Sequence, residues 1–242
     1  MNLTIDIGNS SVKYSVFDKE RCIWHEQADI RSTQPVERAK SMGVQQVIIS
    51  SVSDKGKEIE EVLSQANLPV YRLGQSPLRL PFRIGYKTPD TLGSDRIAAV
   101  AGAWKLAPGQ SVLVIDMGTC ITYDLLSNEG IFVGGNIAPG LKMRIRSMHE
   151  HTARLPLTEI PQDEPPFLGG TTYEAITSGA MWGIRMEAEG YYLHLKQQYP
   201  DIQVMVTGGD CRTLAHTLGH FASIHDSLVD TGLNTILDYQ QQ

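Results

Sequence analysis

Two stretches of the chain share one pattern of apolar and polar positions. Leu3 to Ile5 is an apolar run, and Asp6-Ile7-Gly8-Asn9-Ser10-Ser11-Val12-Lys13 leads from it into an alternating run from Val12 to Phe17. That predicts a strand, a tight turn at the glycine and a returning strand. The pattern recurs at Val112 to Ile115, followed by Asp116-Met117-Gly118-Thr119-Cys120-Ile121-Thr122-Tyr123 and a strand-like segment from Ile121 to Leu126. Self-similarity at this separation predicts duplicated halves facing each other across a cleft.

The rest of the chain alternates strand and helix signals. In the first half these are a third strand near Cys22 to Glu26, a short helix over Val36 to Met42 and a buried strand over Val47 to Val52. A helix over Gly56 to Gln65 follows, capped by Ser53 or Asp54, with Ile59, Val62 and Leu63 at helical spacing. Pro69 to Leu73 reads as a short strand. Gly74 to Thr91 carries Pro77, Pro81 and Pro89 with little periodicity, and irregular segments of that length are often functional. An alanine-rich helix runs from Ile97 to Leu106, with Ser94 or Asp95 where a cap belongs.

Pro108-Gly109-Gln110 is the best boundary by composition, so the expected halves are residues 1–109 and 110–242. The second half adds a strand around Gly130 to Val133, a glycine-rich loop from Gly134 to Gly140, and a helix from Leu141 to Met148. After an irregular, proline-containing stretch, a long helix over Tyr173 to Tyr199 opens with Thr171 and Glu174 spaced as a capping box. A strand, Val204 to Val206, ends at Thr207-Gly208-Gly209-Asp210 before a helix, Cys211 to Leu218. Leu228 to Leu237 is expected as a helix packed on the second half.

Composition narrows the function. With 242 residues, 41% hydrophobic and 20% charged, the chain is long and apolar enough to bury a sizeable core. A net charge of −6 argues against nucleic-acid partners and acidic membrane surfaces. Cys22, Cys120 and Cys211 are too widely spaced for a disulfide framework or a zinc pattern. No run is long and apolar enough to span a bilayer, and the N-terminus shows no signal-peptide pattern. The expected location is cytoplasmic, with no membrane partner.

Candidate chemistry concentrates at the two hairpins and at Gly93-Ser94-Asp95-Arg96. A carboxylate at Asp6, backbone amides at the tip and a lysine at position 13 suit a magnesium-bound polyphosphate. The plain alternative is a hairpin turn whose Asn, Ser and Gly serve the backbone alone. Asp95 has two readings, a helix cap and a general base, and Arg96 beside a helix N-terminus suits an anionic ligand. The turn at Thr207 to Asp210 reads either as an adenosine-side nucleotide site or as a capped glycine turn.

Taken together, these motifs resemble the acetate kinase, sugar kinase, Hsp70 and actin superfamily. Within it the chain resembles the type III pantothenate kinases. The match runs through residues 6–13, Tyr86, Gly93 to Arg96, Asp116 to Thr122, Gly134 to Gly140, Thr207 to Asp210 and Leu228 to Leu233. The resemblance implies an α/β fold of duplicated ribonuclease-H-like domains, with mixed sheets flanked by helices and an active cleft between the halves. It implies ATP-dependent phosphorylation of pantothenate to 4′-phosphopantothenate, which opens coenzyme A synthesis. By the same match, Asp6, Ile7, Gly8, Asn9, Ser10, Ser11, Val12, Lys13 and Thr119 bind ATP. Asp6 helps place Mg²⁺, and Asp116 holds a monovalent cation, K⁺ or NH₄⁺. Asp95 is the base; Tyr86, Gly93, Ser94, Asp95, Arg96 and Thr172 bind pantothenate. Gly169-Gly170-Thr171-Thr172 departs from the family's more usual Gly-Lys-Asn-Thr, and alignment on Ser178-Gly179 puts the substrate threonine at Thr172. A homodimer with the substrate site at the subunit interface is also implied. Two other functions remain open at this point: a kinase for a different small hydroxyl compound, and a non-catalytic nucleotide-binding regulator.

Overall fold

The first hairpin is β1 (Asn2–Ile7) and β2 (Val12–Asp18), paired antiparallel. It belongs to a computed structural model that describes residues 1–8, 11–51, 57–65, 68–75, 77–218 and 221–241. Asn9, Ser10, Val52, Ser53, Asp54 and Gly56, which carry expectations stated above, lie outside the described residues. The chain continues through β3 (Arg21–Ala28), α1 (Gln34–Ser41), β4 (Gln46–Ser51), α2 (Lys57–Gln65), β5 (Val70–Arg72), β6 (Arg83–Ile84) and α3 (Ser94–Leu106). Then come β7 (Val112–Met117), β8 (Cys120–Leu126), β9 (Ile131–Pro139), α4 (Leu141–Glu150), α5 (Thr172–Lys196), β10 (Gln203–Thr207), α6 (Cys211–Leu218), β11 (Ser223–Ile224) and α7 (Leu228–Tyr239).

The chain divides into two compact units. One holds Met1–Gly109, Gly130–Val133 and Ser227–Gln242; the other holds Gln110–Glu129 and Gly134–Asp226. The first sheet has the order β3-β2-β1-β4-β5, with β4 parallel to β1 and to β5. The second repeats it as β9-β8-β7-β10-β11, with β10 parallel to β7 and to β11. The first residues of β9, Ile131 and Phe132, pair in parallel with β6 inside the first unit. Two mixed sheets with the same strand order bear out the expected duplicated α/β fold.

Alternation along the strands builds each core. Leu3, Ile5 and Ile7 share one face with Val12, Tyr14, Val16, Val47 and Ile49, and pack against Val36, Ala39, Ile59 and Leu63 of α1 and α2. In the second unit Leu113, Ile115 and Met117 pack with Ile121, Tyr123, Val204 and Val206 against Leu141, Ile145, Ile184 and Leu214. The opposite face of the first sheet is polar and still buried, with Thr4, Ser15 and Ser50 fully enclosed.

Helix α7 is the reason for that burial, and it corrects two expectations. It packs on α3, β1 and β4, so Leu228–Tyr239 completes the first unit, and residues 110–242 do not form one half. Two glycines permit this. A Cβ at Gly232 would overlap the Ala98 carbonyl, and one at Gly102 would overlap the Leu228 carbonyl, so the two helix backbones meet at close range. The polar side of α7 satisfies the polar sheet face: Asn2 Nδ2 donates to Asn234 Oδ1 and Asp238 Oδ1, both at 2.7 Å. By chain order α7 follows the second sheet as α3 follows the first, so the two equivalent helices pack together.

The glycine-rich segment is also corrected. Gly134 to Pro139 is strand, not loop, because pairing with β8 outweighs the low strand preference of glycine. Helix α5 does carry the expected capping box: the Glu174 amide donates to Thr171 Oγ1 at 3.2 Å, and the Thr171 amide donates to Glu174 Oε2 at 3.2 Å. Among the described residues, no helix is long and apolar enough to cross a membrane.

Candidate active site

In the first unit, strand register surrounds Asp6. It lies across from Lys13 of β2 on one side and Ser50 of β4 on the other. The Gly8 amide donates to the Ser11 carbonyl at 3.1 Å and closes the tip, while Gln27 Nε2 donates to Ser11 Oγ at 2.7 Å. Asp6 and Lys13 are half-buried; Ile7 and Val12 point into the core. Their side chains are therefore spent on packing, and only their backbone is available to a ligand.

The start of α3 brings the other first-unit candidates together. Arg96 is buried, and its guanidinium lies 5.5 Å from the Tyr86 ring centroid and 5.9 Å from that of Phe132. Such contacts hold a cation in place through the negative face of the ring. Asp95 is half-buried, and its Oδ1 accepts from the Arg96 amide at 2.8 Å. The helix begins at Ser94 with Gly93 as its N-cap, so neither Ser94 nor Asp95 occupies the cap position. Ser94 is buried, with Oγ 3.0 Å from Ser50 Oγ and donating to the Ser51 carbonyl at 3.2 Å.

In the second unit Asp116 sits between Thr122 of β8 and Thr207 of β10 in register. Gly208 has φ +98°, and a Cβ there would lie 2.5 Å from Asp116 Oδ1 and from the Met117 backbone. Only glycine fits that cradle. The Asp210 amide donates to the Met117 carbonyl at 2.9 Å, which ties the 207–210 turn to the hairpin. Burial raises the Asp210 carboxyl above its ordinary range, opposed by Lys142 Nζ 3.8 Å away.

Thr119 is exposed at the hairpin tip, where its carbonyl accepts from the Gly140 amide at 3.1 Å. Arg144 braces that contact. Its Nε donates to the Pro139 carbonyl at 2.8 Å, and its two terminal nitrogens donate to Glu187 at 2.9 and 2.6 Å. Thr171 spends its hydroxyl on the cap, whereas Thr172 is exposed in the first turn of α5.

The family profile described as type III pantothenate kinase matches residues 2–194. The chain belongs to the type III pantothenate kinase family. A Type III pantothenate kinase from Christiangramia forsetii is 37% identical over 246 residues, covering 100% of this chain and 99% of its own. One from Bacteroides fragilis strain YCH46 is 38% identical over 242 residues, covering 99% and 98%. Two solved structures share the fold. A conserved Baf family protein from Campylobacter jejuni has a TM-score of 0.61 at 24% identity, over 99% of this chain and 98% of its own. A ROK family glucokinase from Streptomyces griseus, in complex with glucose and AMPPNP, has a TM-score of 0.51 at 14% identity, over 99% of each.

Three residues of this pantothenate kinase escaped the sequence reading. Ser50 and Thr122 flank the two aspartates by register, and Arg144 braces the second hairpin. Thr122 stands across from Asp116 as Lys13 stands across from Asp6, but the second hairpin is one residue shorter, so aligning the two sequences on their aspartates misses it. Ser50 and Arg144 have no such signal either, because only pairing and packing within each unit set them beside their hairpins.

Thr122 tests the fit of the expected cation. Among the described residues its Oγ1 is buried without a hydrogen-bond partner, directly across from Asp116. An orphaned hydroxyl beside a carboxylate in a glycine-lined cradle fits a monovalent cation, whose ligands are oxygens.

Proposed function

We propose that this kinase transfers the terminal phosphoryl group of ATP to the primary hydroxyl of pantothenate, the opening step of coenzyme A synthesis, with Asp95 as general base. Family membership supports the reaction. The observation that carries the site is the start of α3, where Asp95 and the ring-packed Arg96 share one helical turn.

Phosphoryl transfer needs positioning and charge neutralisation more than covalent help from the protein. The first hairpin supplies Lys13 and tip amides for the ATP phosphates, and Thr119 meets ATP from the second. Arg96, Tyr86, Gly93 and Thr172 hold pantothenate, the guanidinium matching its carboxylate. As the alcohol oxygen bonds to phosphorus, its proton passes to the Asp95 carboxylate and ADP leaves with the bridging oxygen. Asp6 would hold Mg²⁺, and Asp116 with Thr122 would hold K⁺ or NH₄⁺. Bound there, these ions neutralise charge on the phosphates.

The kinase acts as a homodimer with pantothenate bound near the interface. Support comes from the second unit, where Ile137, Leu157, Phe167, Leu168 and Leu193 are between 54% and 81% exposed. Exposed apolar side chains of this size are what a subunit interface would cover. Phe167 and Leu168 also precede Thr172 closely in sequence.

Asp95→Asn should fold normally and lose about 10³-fold in kcat. Near-normal turnover in that variant would remove Asp95 from the chemistry. A panel of small hydroxyl compounds at fixed ATP and Mg²⁺ should show turnover with pantothenate above all others.

A further inference from the structure

We infer that Ser50 and Ser94 are positioning residues that set the Asp95 carboxylate relative to Asp6, and that the Ser94 hydroxyl is not a ligand of pantothenate. This rests on the proposed role of Asp95 as base. Ser50 is fully buried and Ser94 nearly so. Their hydroxyl oxygens are 3.0 Å apart, and Ser94 Oγ is 3.2 Å from the Ser51 carbonyl.

A serine hydroxyl has one proton to give. Ser94 donates its proton to the Ser51 carbonyl, so Ser50 must donate to Ser94. Both protons are then committed inside the protein, on groups turned away from solvent. A hydroxyl in that state has nothing left to offer a substrate as donor.

The two serines are placed where a positioning link is useful. Ser50 is the register partner of Asp6 across β1 and β4, and Ser94 immediately precedes Asp95. One side-chain link therefore joins the strand pair that presents Asp6 to the turn that presents Asp95. The close contact with α7 at Gly102 and Gly232 holds the body of α3, and the first turn needs a restraint of its own. Its cap residue Gly93 has no side chain, and the Asp95 carboxylate already accepts from the Arg96 amide. Directional hydrogen bonds from Ser94 supply that restraint at the first turn. A base displaced by a fraction of an ångström loses its reach to the attacking hydroxyl.

The test measures kcat and KM for pantothenate in Ser50→Ala, Ser94→Ala, the double variant and Ser94→Thr, with circular dichroism and ATP binding as folding controls. Each alanine variant should lose about tenfold to a hundredfold in kcat with little change in KM. The double variant should be no worse than either single, since both remove the same link. Ser94→Thr keeps the hydroxyl and should recover most of the loss. Unchanged kcat in both alanine variants overturns the inference, as does a raised pantothenate KM with kcat intact, which would make Ser94 a ligand. If Ser94→Ala does not fold, Ser50→Ala decides alone, because alanine is tolerated in a buried strand. Asp95→Asn assayed alongside separates the two levels. Full turnover there removes the base and this inference together; lost turnover there, with both serine variants fully active, removes only the serine link.

Discussion

Asp6 lies across from Lys13 in the first hairpin, and Asp116 lies across from Thr122 in the second. The strands, the aspartate and the glycine that follows are the same in both. One cross-strand position changes the electrostatics. Lysine gives the first tip a positive point charge beside its carboxylate, which suits phosphate. Threonine brings a neutral oxygen to the second carboxylate, which suits a cation. Under the proposed function, one cross-strand side chain turns a duplicated element to two tasks.

The largest expected effects separate the two aspartates. Asp6→Asn should lower kcat by about 10³-fold, as loss of metal charge neutralisation removes several kcal/mol of transition-state stabilisation. Asp116→Asn should lose less, and its remaining activity should no longer distinguish K⁺ from Na⁺. If the two variants respond alike to that ion swap, the hairpins do not differ in the way described. Next comes Lys13→Thr, which makes the first hairpin resemble the second. ATP binding, followed by calorimetry, should weaken about tenfold to a hundredfold, the worth of one charge-assisted hydrogen bond.

Smaller effects concern stability. Gly208→Ala forces φ +98° on a residue with a side chain and pushes on Asp116, so it should cost about 1–3 kcal/mol in thermal unfolding. Gly8→Ala should be milder, since among the described residues its added Cβ would meet only the Ser11 carbonyl at 3.3 Å. The smallest effect involves Asp230, buried behind the first hairpin at 1% exposure with one carboxyl oxygen unpartnered. Burial raises its pKa above the ordinary 3.8, opposed by Lys13, His25 and the hydroxyls of Ser15 and Thr4. Above pH 3.8 the unfolded state has released this proton while the folded state keeps it. Stability from this group therefore falls as pH rises toward the folded value. Urea melts from about pH 4 to about pH 7 should show a shallower fall for Asp230→Asn than for the parent.

Much of this was legible from the sequence. Both hairpins announced themselves by apolar runs ending at Asp-x-Gly, and the capping box of α5 by Thr171 and Glu174. These are local patterns, set by neighbours in the chain. Misreadings arose where tertiary contacts overrode local preference. Gly134 and Gly135 suggested a loop, yet pairing with β8 keeps them extended. Ser94 looked like a helix cap because a hydroxyl there usually is one, and its partner Ser50 lies 44 positions away. The periodicity of Leu228 to Leu237 gave a helix correctly but not the surface it covers. The interior Gly232 was the one local hint that a backbone would press close.

The membership of α7 in the first unit has a consequence for biosynthesis. Residues 228–239 leave the ribosome long after residues 2–18, yet they cover the strands those residues form. Folding of domains in order of synthesis is common. Here the first strands must wait, polar face unsealed, until α7 has been translated.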